Sequence, residues 1–101
     1  MSPSHDDYVG PKMASSGVAH IEYPDRANMC DIIVQYSEYI EVSRWEGEQR
    51  GFVDFPAVAS HHAKYLSEHF PSVKVFYLCG ADHAIKYASF PSPNAIKLLT
   101  N

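Results

Sequence analysis

Val73-Lys74-Val75-Phe76-Tyr77-Leu78-Cys79-Gly80-Ala81-Asp82 is the stretch on which the fold turns. Val75 to Cys79 form a continuous apolar run that mixes β-branched and aromatic residues, with Lys74 before it and Gly80 after it. A run this short and continuous predicts a strand buried on both faces, as in a parallel sheet. Gly80 lets the backbone turn sharply and admits the close approach of another molecule. Asp82 falls just past the carboxyl end of the strand, the rim where open α/β sheets bind ligands. It reads in two ways: as the cap of a helix that begins near His83, or as a carboxylate that meets a ligand.

Working back from this strand, Asp54-Phe55-Pro56 is a helix start, with Asp54 as cap and Pro56 in the first turn. The helix is expected to run to about His69, with Phe55, Val58, His62, Tyr65, Leu66 and His69 on one side. Tyr39-Ile40-Glu41-Val42-Ser43 alternates and predicts a second strand. Before it, Tyr23-Pro24-Asp25 opens a helix that ends at Ser37-Glu38. In it Met29, Ile32, Ile33 and Tyr36 make an apolar stripe that is expected to face a core. Met1 to His20 carries Pro3, Gly10, Pro11 and Gly17 among serines and charges, and reads as loop. Beyond the central strand, a short helix from Asp82 to about Tyr87 is broken by Phe90-Pro91-Ser92-Pro93.

The expected organisation is a single partial domain over residues 1–101: mostly loop over 1–20, an α-β-α-β-α core over 21–90, and a tail over 91–101. The fold class is α/β, a Rossmann-like parallel sheet with flanking helices. Two strands are too few for a doubly covered sheet, so the domain is expected to be incomplete.

With 101 residues the chain is one domain at most. Its net charge of −4 and its lack of a Lys/Arg cluster argue against a nucleic-acid surface. No apolar run approaches membrane-spanning length and the first residues are not signal-like, so an intracellular protein, cytoplasmic or nuclear, is expected. Cys30 and Cys79 both sit in apolar segments and are expected to be reduced thiols. Neither the G-x-G-x-x-G nor the G-x-x-x-x-G-K phosphate cradle is present, and there is no G-x-S-x-G elbow. Of the six histidines, His61 and His62 are adjacent and point about 100° apart on a helix. His62 and His69 share a face but lie two turns, about 10 Å, apart. Neither spacing suits a metal ion, and none is expected.

The remaining signal lies in Tyr39 to Asp54 taken with the central strand. Trp45, the only tryptophan, directly follows the Tyr39–Ser43 segment. In chain order the sequence carries Ser2-Pro3, Asp6 and Tyr8; then Arg26 and Met29; then Val42-Ser43-Arg44-Trp45-Glu46; then His61-His62; then Leu78-Cys79-Gly80-Ala81-Asp82. In that order these resemble the motifs of the nicotinamide/nicotinate mononucleotide adenylyltransferases, a branch of the cytidylyltransferase-like nucleotidyltransferases. The resemblance covers about Ser2 to Tyr87.

The resemblance implies a Rossmann-like fold that transfers adenylyl from ATP, with magnesium, to nicotinamide or nicotinate mononucleotide. It implies that Gly80 and Asp82 contact the adenosine ribose, and that Trp45 walls the pyridine pocket. Phe52 stands where the family has a second, stacking tryptophan, and Phe55 where it has a pocket threonine. Val9-Gly10-Pro11 replaces a lysine pair, leaving Lys12 as the nearest phosphate-binding residue. The family's amino-terminal Gly-x-Phe-x-Pro-x-His segment and its carboxyl-terminal Ser-Thr-x-x-Arg segment have no counterpart. The chain is therefore expected to be the middle part of such an enzyme and inactive alone, with an uncovered strand edge that favours homo-oligomers. The rival expectation is a non-catalytic nucleotide-binding or interaction module derived from the same fold.

Overall fold

A computed structural model describes residues 1–83, together with the backbone of 97–98. The elements are α1 (Asp6–Ser15), α2 (Tyr23–Val34), α3 (Phe55–His69), β1 (Phe76–Tyr77) and β2 (Lys97–Leu98). The chain groups into two compact units, Met1–Asp54 and Phe55–Asn101.

The first unit is helical and held by polar contacts. α1 forms where a loop was expected, although Pro11 cannot donate to the Asp7 carbonyl and a proline inside a helix costs about 3 kcal/mol. Its start is well made. The His5 ring accepts from the Asp7 amide at 3.0 Å, and Asp6 and Asp7 place negative charge in the first turn. Tertiary contacts add to this: Asp6 Oδ1 accepts from Arg26 at 2.7 Å and from His20 at 3.0 Å.

α2 starts where the Tyr23-Pro24 signal puts it, with Pro24 in its first turn. The face that it buries is not the expected one. Tyr23 and Ala27 are buried and Cys30 and Val34 are partly so, a stripe at i, i+4, i+7 and i+11. Met29, Ile32, Ile33 and Tyr36 are 50%, 65%, 75% and 92% exposed. The reason lies outside the helix. The Tyr23 hydroxyl donates to the Arg44 carbonyl at 3.1 Å, and the ring lies against Gly47, fixing the helix rotation on that side. Arg44 adds an ion pair with Asp31 and a 3.1 Å hydrogen bond to Asn28.

Tyr39–Ser43 does not form a strand. It is tied instead to the first residue: the Met1 amino group donates to the Glu41 carbonyl and the Ser43 amide to the Met1 carbonyl, each at 2.8 Å. This is the bonding pattern of one parallel bridge around Val42.

In the second unit α3 has the expected bounds, with Val58 and Ala59 buried. Among the described residues the expected Rossmann-like parallel sheet is not seen. The described residues are mostly helical, and their only ladder pairs Phe76 with Lys97 and Tyr77 with Leu98, in parallel. Along Val75 to Cys79 burial alternates. Phe76 is 48% and Leu78 86% exposed, while Val75, Tyr77 and Cys79 are partly buried. A strand is buried on both faces only when layers cover both, and two residues of ladder carry no such layers. Residues 81–83 are helical. The expected end of that helix near Tyr87, the breaker at Phe90–Pro93 and most of the tail lie outside the described residues.

Candidate functional site

Of the candidate residues, Lys12, Phe52 and Trp45 lie in the first unit, and Phe55 and the Gly80–Asp82 turn in the second.

Lys12 and Phe52 meet through Tyr8. The Phe52 ring stacks on Tyr8 with centroids 5.7 Å apart and planes at 18°. The Lys12 ammonium lies 5.5 Å from the centre of the Tyr8 ring, a cation–π contact. α1 supplies Tyr8 and Lys12 four residues apart, on one face. Phe52 comes from the segment between the 45–48 turn and α3. Both rings are about half exposed, Tyr8 46% and Phe52 49%. Half-exposed aromatic rings beside an ammonium suit a planar ring that carries an anionic group.

Trp45 opens the 45–48 turn and is partly buried, and its carbonyl accepts from the Gln49 side chain at 2.7 Å. Beside it, Glu46 is buried and accepts from the Ser2 hydroxyl at 2.7 Å. The buried His5 ring donates through Nε2 to the Gln49 carbonyl at 2.9 Å. Ser2, His5 and Asp6 thus tie the amino-terminal segment to the 46–49 turn and to α2. The sequence offers no signal for the Ser2–Glu46 and His5–Gln49 contacts, because the partners lie 44 residues apart. Burial alone would raise the Asp6 pKa. Hydrogen bonds from Arg26, the Tyr23 amide and His20, with the Arg26 charge, outweigh it and hold the carboxyl below the ordinary carboxylate range.

In the second unit Phe55 does not stand alone as a pocket wall. It stacks on Tyr77 at 5.1 Å and meets His83 edge-on at 4.7 Å. Tyr77 and His83 share a hydrogen bond between hydroxyl and Nε2 at 3.3 Å. Sequence reading did not connect these three residues, although Tyr77 and His83 bracket the turn that it singled out. Within that turn Gly80 and Asp82 come together: a Cβ added at residue 80 would lie 2.7 Å from Asp82 Oδ1. A side chain at residue 80 would therefore displace the exposed Asp82 carboxylate, with no positive φ involved. Asp82 lies inside the helical residues 81–83, not ahead of them as the cap, and it is exposed.

On α3, His62 Nδ1 donates to the Val58 carbonyl and His69 Nδ1 to the Tyr65 carbonyl, each at 2.8 Å. Burial lowers the His61 pKa, and the nearby charges of His62 and Lys64 lower it further. Among the described residues no group of three or more His, Cys, Asp or Glu side chains is placed to hold a metal ion. Nor is any helix among them long and apolar enough to cross a membrane.

No protein-family model matches the chain. No solved structure matches it significantly. Two curated proteins do. A nicotinamide-nucleotide adenylyltransferase of Drosophila melanogaster is 35% identical over 72 residues, which are 71% of this chain and 17% of that protein. A nicotinamide/nicotinic acid mononucleotide adenylyltransferase of Arabidopsis thaliana is 30% identical over 93 residues, 88% of this chain and 36% of that protein. The chain thus spans between about a sixth and a third of the length of these relatives. The similarity is to part of a mononucleotide adenylyltransferase.

Proposed function

We propose that this chain serves adenylyl transfer from ATP to nicotinamide or nicotinate mononucleotide, as the part of such an enzyme that carries nucleotide-binding surface. One observation carries the reading beyond similarity: the Asp82 carboxylate folds against Gly80 in an exposed turn. A glycine that cannot be replaced without displacing the carboxylate leaves backbone open to a ligand beside a hydroxyl acceptor. That suits a ribose, whose hydroxyls Asp82 accepts, with magnesium accompanying the ATP phosphates. Lys12, Phe52 and Trp45 are assigned to the mononucleotide. Phe55 is assigned with them, and its ring also packs on Tyr77 and His83. In adenylyl transfer, charge grows on the α-phosphate and on the departing pyrophosphate, and fixed donors must already be in place to meet it. Lys12 is the assigned residue nearest to that task and lies against the Tyr8 ring. The chain alone is therefore expected to bind nucleotide without turning it over.

The test is titration with ATP and magnesium, followed beside an assay for NAD and pyrophosphate. Asp82→Ala should weaken ATP binding by about 1.5–3 kcal/mol, the value of a hydrogen bond to a charged group, and leave the melting temperature nearly unchanged. A collapse in melting temperature with undiminished affinity would assign Asp82 to folding alone. Binding without turnover in the unmutated chain is also what the rival reading, a non-catalytic nucleotide-binding module, requires. Titration with the mononucleotide as well as ATP, beside that assay, separates the two.

A further inference from the structure

We infer that His83 is a positioning residue for the nucleotide-binding turn, acting through Tyr77; the inference rests on the nucleotide reading of Gly80 and Asp82 given above. The turn leaves β1 at Tyr77 and re-enters regular structure at residues 81–83. Both ends are pinned to each other. The Tyr77 hydroxyl and His83 Nε2 are 3.3 Å apart, and their rings lie 5.6 Å apart. Phe55, at the start of α3, touches both, stacking on Tyr77 and meeting His83 edge-on. Three rings from three places in the unit thus close the base of the short loop 78–80 and the helical turn that follows it.

The ladder cannot do this alone. Among the described residues β1 pairs with β2 over two residues, and Leu78 beside it is 86% exposed, so little of the described backbone pairing or burial holds the start of the turn. The carboxylate that it presents is exposed and lies close to residue 80, so the backbone of residues 80–82 fixes the point from which it projects. A group held at a fixed point needs less ordering when a ligand arrives, and affinity rises accordingly. Through Tyr77, His83 sets that point without touching the ligand.

The experiment compares Tyr77→Phe, His83→Phe, the double variant and His83→Gln in the full chain, by ATP–magnesium titration, melting and amide exchange over 78–82. The two Phe variants keep a ring in place and remove one side of the hydrogen bond. Each should weaken ATP binding about fivefold, the scale of one neutral hydrogen bond, and raise exchange in the turn. The double variant should lose no more than either single one, because both remove the same bond. His83→Gln, which can still bond to the Tyr77 hydroxyl, should recover most of the affinity. Additive losses, unchanged affinity in the single variants, or no recovery with Gln overturns the assignment. Unchanged exchange overturns it independently of any nucleotide. Should the unmutated chain bind no ATP, the nucleotide reading falls and this role with it, whereas faster exchange in the Phe variants would then mark the contact as structural only.

Discussion

The two units reach order by opposite routes. Met1–Asp54 buries polar groups: His5 and Glu46 are each 8% exposed, and both are hydrogen-bonded across 44 residues of chain. The described part of Phe55–Asn101 relies on one amphipathic helix, a two-residue ladder and a cluster of rings at the base of a turn. A buried, satisfied polar pair is specific about its partner, because leaving either side unmatched is costly. Ring packing is more permissive about geometry. The first unit should therefore respond sharply to single atoms and the second more gradually. Trp45, the only tryptophan, lies in the first unit.

The largest effect is expected from Gly47→Ala. The added Cβ would lie 1.8 Å from a carbon of the buried Tyr23 ring, and a rigid ring has no flexible end to move. A loss of about 3 kcal/mol is expected in urea unfolding followed by Trp45 fluorescence, the upper end for overpacking. Amide protection in α3, measured in the same variant, sharpens the comparison: an equal loss there would mean that the two units unfold as one.

Glu46→Ala comes next. It leaves the Ser2 hydroxyl without its acceptor, and a loss of about 2 kcal/mol is expected for a bond to a charged group. Ser2→Ala on that background should add little. Additive losses would show that Glu46 matters through packing and not through Ser2.

Acid should act on the first unit through Asp6. Its folded pKa lies below the ordinary carboxylate value, so the stability that it contributes is present above the unfolded pKa and is lost as pH falls through the folded one. The Trp45-detected melting temperature should drop on acidification below the usual carboxylate range, and the drop should be smaller in Asp6→Asn. The side chain is 35% exposed, so solvent screening keeps the effect modest. A pH profile identical in the two proteins would break the account of how α1 is held.

The smallest effect is expected from Ile33→Ser. Residue 33 lies in the expected core stripe but is 75% exposed, so a change within about 0.5 kcal/mol is expected. A loss of several times that, or one that depends on protein concentration, would mean that the stripe is covered in solution.

Local signals were readable from the chain alone. α3 begins and ends where Asp54-Phe55-Pro56 and the apolar spacing put it, and α2 begins at Tyr23-Pro24. Gly80 and Asp82 could be singled out as neighbours in one turn, and order and identity of short motifs pointed to the adenylyltransferases that two relatives then matched in part. Such features are decided within a few residues, by caps, proline and periodicity.

Tertiary structure decided the rest. The far face of α2 is buried because Tyr23 finds Arg44 and Gly47, and periodicity cannot say which side a partner will occupy. α1 stands against its own proline because Asp6 meets Arg26 and His20 and His5 meets Gln49. The Val75–Cys79 run has the composition of a doubly buried strand, but burial on two faces belongs to the layers around a strand and not to the strand. Among the described residues it pairs over two residues of ladder, and the same side chains alternate between partial burial and solvent.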